Sequence, residues 1–107
     1  MLRIYDSILL LCTDLRPLLD EVQRRDVDLA RQLRRALASV PLNVAEGSMV
    51  SGGNRVLRYR TALGSLRESL SCLELSACWG YIAPVEPQLR ARFGVITATL
   101  LKCVQPR

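Results

Sequence analysis

Apolar residues recur along this chain at steps of three and four, the spacing that gathers side chains onto one stripe of a helix. In the first stretch Ile4, Ile8, Leu11, Leu15, Leu18 and Val22 step by 4, 3, 4, 3 and 4, which predicts a helix from about Leu2 to Arg24. Pro17 lies inside it and has no backbone N–H to donate, so a kink or break is expected near Leu15. A second stripe, Ala30, Leu33, Leu37, Val40 and Val44, follows Asp26 and Asp28, either of which has the side chain of a helix N-cap. This stripe also contains a proline, Pro41.

A loop is expected over Ser48 to Asn54, because the adjacent Gly52 and Gly53 cost a helix roughly 2 kcal/mol relative to alanine. Beyond it Val56, Tyr59, Leu63, Leu66, Leu70, Leu73 and Ala77 form the longest unbroken seam, with Leu66 at its centre. Gly80 is expected to end that third helix, and Pro84 and Pro87 to turn the chain into a fourth, carrying Leu89, Phe93, Ile96, Leu100 and Cys103. No strand-like alternation competes with these stripes. The expected fold is all-α, an antiparallel up-down-up-down four-helix bundle, with residues 1–107 as its one domain.

Composition agrees with a packed core, since half of the 107 residues are apolar. The longest apolar run, Ile8 to Cys12, is far short of the ~20 residues of a membrane-spanning helix, so no membrane partner is expected. Asp6 interrupts the apolar stretch after Arg3, and no signal-peptide pattern follows; the chain reads as cytoplasmic. The net charge is +5, and all but one of the fifteen basic residues are arginine. That balance permits an anionic partner.

Chemistry-bearing constellations are sparse. Histidine is absent, and Cys12, Cys72, Cys78 and Cys103 never come at the spacing of zinc ligands, so the cysteines read as buried, reduced thiols and no metal or other cofactor is expected. Gly52-Gly53 lacks the lysine of a phosphate-binding loop, and Glu68 and Glu74, six apart on one helix, point in different directions. The sequence reads as non-enzymatic. Glu74 lies close to the apolar seam of its helix and is expected to pair with a cation of the second helix, Arg34 first and Arg35 second. Trp79 is expected at the edge of the core.

The second stretch carries a polar stripe as well: Gln32, Arg35, Ser39, Asn43 and Glu46 step by 3, 4, 4 and 3 and are expected on the side away from Leu33 and Leu37. Two readings fit, a solvated face or a subunit contact in which Ala36 and Ser39 allow close approach. Gln32-Leu33-Arg34-Arg35-Ala36, followed by Ser39-Val40-Pro41-Leu42-Asn43-Val44-Ala45-Glu46-Gly47, resembles the signature of the four-helix bundle family named for the 23S rRNA intervening-sequence protein. Tyr59, Ala62, Gly64-Ser65-Leu66, Glu68, Leu73-Glu74 and Gly80-Tyr81 are similar to that family's third helix and its exit. The resemblance runs from Gln32 to Ile82; the family's aromatic start is not recognisable here, and the segment from Pro17 to Ala30 looks longer than usual.

The resemblance implies a cytosolic bundle that forms a ring-like homopentamer, with relatives that include the accessory protein of diversity-generating retroelements, which binds nucleic acid and a reverse transcriptase. On that footing the subunit interface is expected at Gln32, Ala36, Ser39 and Asn43. RNA or DNA is expected to meet Arg31, Arg34, Arg35, Arg55, Arg58 and Arg60, and five subunits would carry about +25 in all. With only five aromatic side chains to stack on bases, such binding is expected to be independent of sequence. The alternative is a protein-interaction scaffold, or an accessory subunit of a nucleic-acid-processing enzyme such as a reverse transcriptase.

Overall fold

The computed structural model describes residues 3–105, which form five α-helices and, among the described residues, no strand: α1 (Arg3–Asp14), α2 (Arg16–Arg25), α3 (Val27–Ser48), α4 (Gly52–Cys78) and α5 (Pro87–Val104). Leu2, where the first helix was expected to begin, lies outside the described residues. Five helices replace the four expected because the first stretch divides at Leu15. The break falls there for a local reason: Pro17 occupies the first turn of α2, where a helix has no use for the missing N–H. The chain barely departs from helical bonding, since Leu15 still donates to the Leu11 carbonyl and accepts from Leu19, at 3.0 and 2.9 Å.

Asp26 is at once the last residue of the turn after α2 and the N-cap of α3. Its backbone is extended, and its carboxylate Oδ1 accepts from the Leu29 N–H at 3.0 Å. Pro41 sits buried within α3 without ending it. The expected seven-residue loop shrinks to Met49–Ser51, and both Gly52 and Gly53 belong to α4. At the other end of α4, Gly80 adopts φ +79°, and two bonds close a Schellman turn: Tyr81 N–H to Ser76 O at 2.9 Å and Gly80 N–H to Ala77 O at 3.0 Å. A side chain at Gly80 would be strained by that backbone.

The buried side chains of all five helices form one cluster, and the expected stripes supply most of it: Ile8, Leu11, Leu15 and Val22; Leu33, Val40 and Val44; Leu66 and Leu73; Phe93, Ile96 and Leu100. The most extensive contact joins α3 to α4, which run antiparallel, as the pairs Gln32–Glu68, Ser39–Ser65 and Gly47–Tyr59 show. Small residues permit this approach. A Cβ at Gly47 would lie 2.7 Å from the Tyr59 ring, so the ring packs where any larger residue would stand. Burial pushes the Cys12 and Cys72 thiols above their ordinary pKa, as expected of packed cysteines. Cys78 departs from that expectation and is exposed. Among the described residues no helix is long and apolar enough to cross a membrane.

Candidate nucleic-acid and assembly surfaces

The six arginines singled out by the sequence are all exposed, but they do not form one patch. Arg31, Arg34 and Arg35 stand on the first turns of α3, whereas Arg55, Arg58 and Arg60 open α4 at the far end of the α3–α4 hairpin. At 1.5 Å per residue the two groups are about 20–25 Å apart. In the first group only Arg31 is neutralised by a neighbour, pairing with Asp28 at 3.3 Å, and Asp28, Arg31, Gln32, Arg35 and Glu68 line one polar groove of mixed charge. Arg34 donates to the Gln23 amide oxygen on α2.

In the second group Arg55 has a structural task. Its Nε donates to the carbonyls of Gly47 and Val50, at 3.1 and 2.9 Å, holding the C-terminal end of α3 and the turn behind it. Arg58, three residues on, shares its face of α4. Arg60 points to another side, where Arg67, two turns along, aligns with it and is likewise exposed. Arg67 was not among the expected residues, although its spacing of seven from Arg60 was legible. Arg35, Arg58, Arg60 and Arg67 have no carboxylate partner among the described residues.

The stripe of Gln32, Ala36, Ser39 and Asn43 meets α4 of its own chain. Ala36 is buried, the Ser65 hydroxyl donates to the Ser39 hydroxyl at 2.7 Å, and the Gln32 amide reaches Glu68 at 3.4 Å. Asn43 turns back to donate to the Ser39 carbonyl at 2.8 Å. The stripe therefore does not lie on an open side of α3, because α3 has neighbours on more than one face. A second subunit can reach it only at Gln32 and at the edges of Ser39 and Asn43. The Glu74 carboxylate also finds another partner than expected: Arg90 of α5, at 2.6 Å, rather than Arg34 or Arg35, because α4 turns that edge toward α5. Both partners are nearly half exposed, so the pair adds at most about 1 kcal/mol.

Apolar surface also remains open to solvent. Leu9, Cys12, Leu19, Leu37, Ala38 and Pro41 line a groove of about 490 Å³ between α1–α2 and α3, with Arg34 and Arg35 at its rim. At the exit of α4, Trp79 is 57% exposed rather than at the core edge. It meets Tyr81 edge-on, ring centroids 6.0 Å apart. Tyr81 is fixed by donating its hydroxyl to Asp26 Oδ2 at 3.2 Å, and burial together with that carboxylate raises its pKa. Among the described residues no group of three or more carboxylate or thiol side chains is placed to hold a metal.

No curated protein matches the chain. It is similar in fold to the crystal structure of a protein of unknown function from the S23 ribosomal protein family of Bacteroides thetaiotaomicron, with a TM-score of 0.81 over 96% of this chain and 99% of that one, at 17% identity. The model of the family described as 23S rRNA-intervening sequence protein matches residues 1–93, which takes in the N-terminal helices that the motif resemblance had left out. With most of its length matched in this way, the chain belongs to the family of the 23S rRNA-intervening sequence proteins.

Proposed function

We propose that this protein is a non-enzymatic, self-assembling helical protein of the cytoplasm that binds nucleic acid through arginine side chains, without reading sequence. The observation that carries the reading is the set of exposed arginines on α3 and α4 with no carboxylate partner among the described residues, Arg35, Arg58, Arg60 and Arg67, on a chain of net charge +5. Arg31, Arg34 and Arg55 add to the field while also holding local structure. In this reading α1 and α2 act as one broken arm of an up-down-up-down four-helix bundle, and a ring of five copies sums charges that a single chain spreads over two ends. Phosphate contacts of this kind are indifferent to base identity.

The test is a fluorescence-anisotropy titration of duplex DNA and of an rRNA fragment at low and at physiological salt. Binding that weakens with salt and differs little between sequences is expected; absence of binding at low salt overturns the reading. A second reading, a scaffold or accessory subunit for a nucleic-acid-processing enzyme, draws support from exposed Trp79 and from the open apolar groove.

A further inference from the structure

We propose that copies of the chain join head to tail, the outer ridge of α1 from one copy seated in the α1–α3 groove of the next. This rests on the assembling reading above and adds which surfaces meet. The groove is floored by Leu37 and Pro41 and walled by Leu9, Cys12 and Leu19. Its apolar surface runs on to Leu42, one turn beyond Ala38 and 68% exposed. An uncovered apolar strip of this extent marks a contact surface. Ala38, exposed and small, lets another helix backbone come close.

The charges at the rim define the occupant. Arg35 has no carboxylate partner among the described residues, and Arg34 has only the Gln23 amide. An apolar side chain flanked by carboxylates would complement both. One ridge of the same chain has that composition: Asp6, Leu10 and Asp14, four residues apart, share the outer face of α1. Leu10 is 61% exposed, and Val95 of α5, also exposed, borders the same apolar depression. Asp14 is paired with Arg92 at 3.0 Å, yet more than half of its side chain still faces water.

Groove and ridge lie on different sides of α1, because Leu9 and Leu10 are about 100° apart around the helix. The contact is therefore heterologous: every copy offers one groove and one ridge, and repetition closes a ring or extends a filament. A two-fold dimer would need one face to serve both roles.

The experiment uses the full chain and two substitutions at exposed positions, Ala38→Arg in the groove and Leu10→Arg on the ridge, with particle mass read by sedimentation over a concentration series. Wild type should sediment as a multiple of the 12.0 kDa chain, and each variant alone as one chain. An equimolar mixture of the two variants should form a species of two chains and nothing larger, because it retains one intact groove and one intact ridge. Arg35→Glu, which leaves the groove's shape unchanged, should also weaken assembly, and circular dichroism should show all three variants folded. Variants as large as wild type, or a mixture that stays monomeric, would overturn the pairing of these faces while leaving assembly standing. A monomeric wild type would overturn the assembling reading, and this inference with it.

Discussion

Replacing Asp26 tests how a single carboxylate ties two distant parts of the chain together. Oδ1 caps α3 through the Leu29 N–H, and Oδ2 accepts the Tyr81 hydroxyl from the turn after α4, 55 residues away. Loss of an aspartate N-cap costs about 1 kcal/mol, and loss of a half-buried hydrogen bond to a charged acceptor about another 1 to 1.5 kcal/mol. Asp26→Ala should therefore lose about 2 kcal/mol, which for a domain of this size lowers the melting temperature by roughly 10 °C. Tyr81→Phe should lose only the second share. In the double variant the two losses should fall short of additivity by about 1 kcal/mol, since each single change already breaks the same bond. Asp26→Asn keeps the capping oxygen but puts an NH2 group where Oδ2 accepts the Tyr81 hydroxyl, so it should keep the cap and lose stability close to that of Tyr81→Phe. Thermal melts followed by circular dichroism read all four. Fully additive losses, or a Tyr81→Phe variant as stable as wild type, would show that the bond between the turn and the cap contributes nothing.

Leu66→Ala, at the fully buried centre of the α4 seam, should destabilise the fold by about 2 to 5 kcal/mol in urea titration; an unchanged midpoint would mean the seam does not form the core. Gly47→Ala should also destabilise, although alanine is the better helix former by about 1 kcal/mol, because the added Cβ must displace the buried Tyr59 ring; a rise in melting temperature would refute the close approach. Alkaline pH should weaken the fold. Burial holds the phenol protons of Tyr59 and Tyr81 above the ordinary tyrosine value, so the stability they contribute is complete below about pH 10 and is lost as pH rises through the higher folded values. A melting temperature that stays flat through that range would contradict the burial of these groups.

The core was legible because a helix seam is a one-dimensional pattern: the stripes from Ile4 to Leu100 supply the buried cluster and its edge, apart from Val56 at the start of the α4 seam. Leu15 was legible as a break for the same local reason, the missing N–H of Pro17. What a single helix cannot reveal is which other helices flank it. Gln32, Ala36, Ser39 and Asn43 share one stripe of α3, but only the antiparallel register with α4 shows that Ser65 and Glu68 lie against it. Glu74 likewise lay near its seam as expected, while the identity of its partner depended on where α5 returns, and that placed Arg90 beside it. The loop is shorter than the glycine pair suggests because Arg55, one turn into α4, ties the new helix to the carbonyls of Gly47 and Val50, a side-chain anchor that helix propensity does not report.

The measurement that bears most directly on nucleic-acid binding is the salt dependence of duplex affinity for the assembled protein, compared with a variant in which Arg58, Arg60 and Arg67, which lie outside the proposed subunit contact, are glutamine. Arg55 is left in place, because its loss would disturb the turn and confuse folding with binding. Each phosphate contact contributes a slope of about 0.9 in log affinity against log salt. The account predicts a steep slope for wild type, a shallower one for the variant, and equal affinity for unrelated sequences in both. Identical slopes for the two proteins, or no binding by either at low salt, would contradict it.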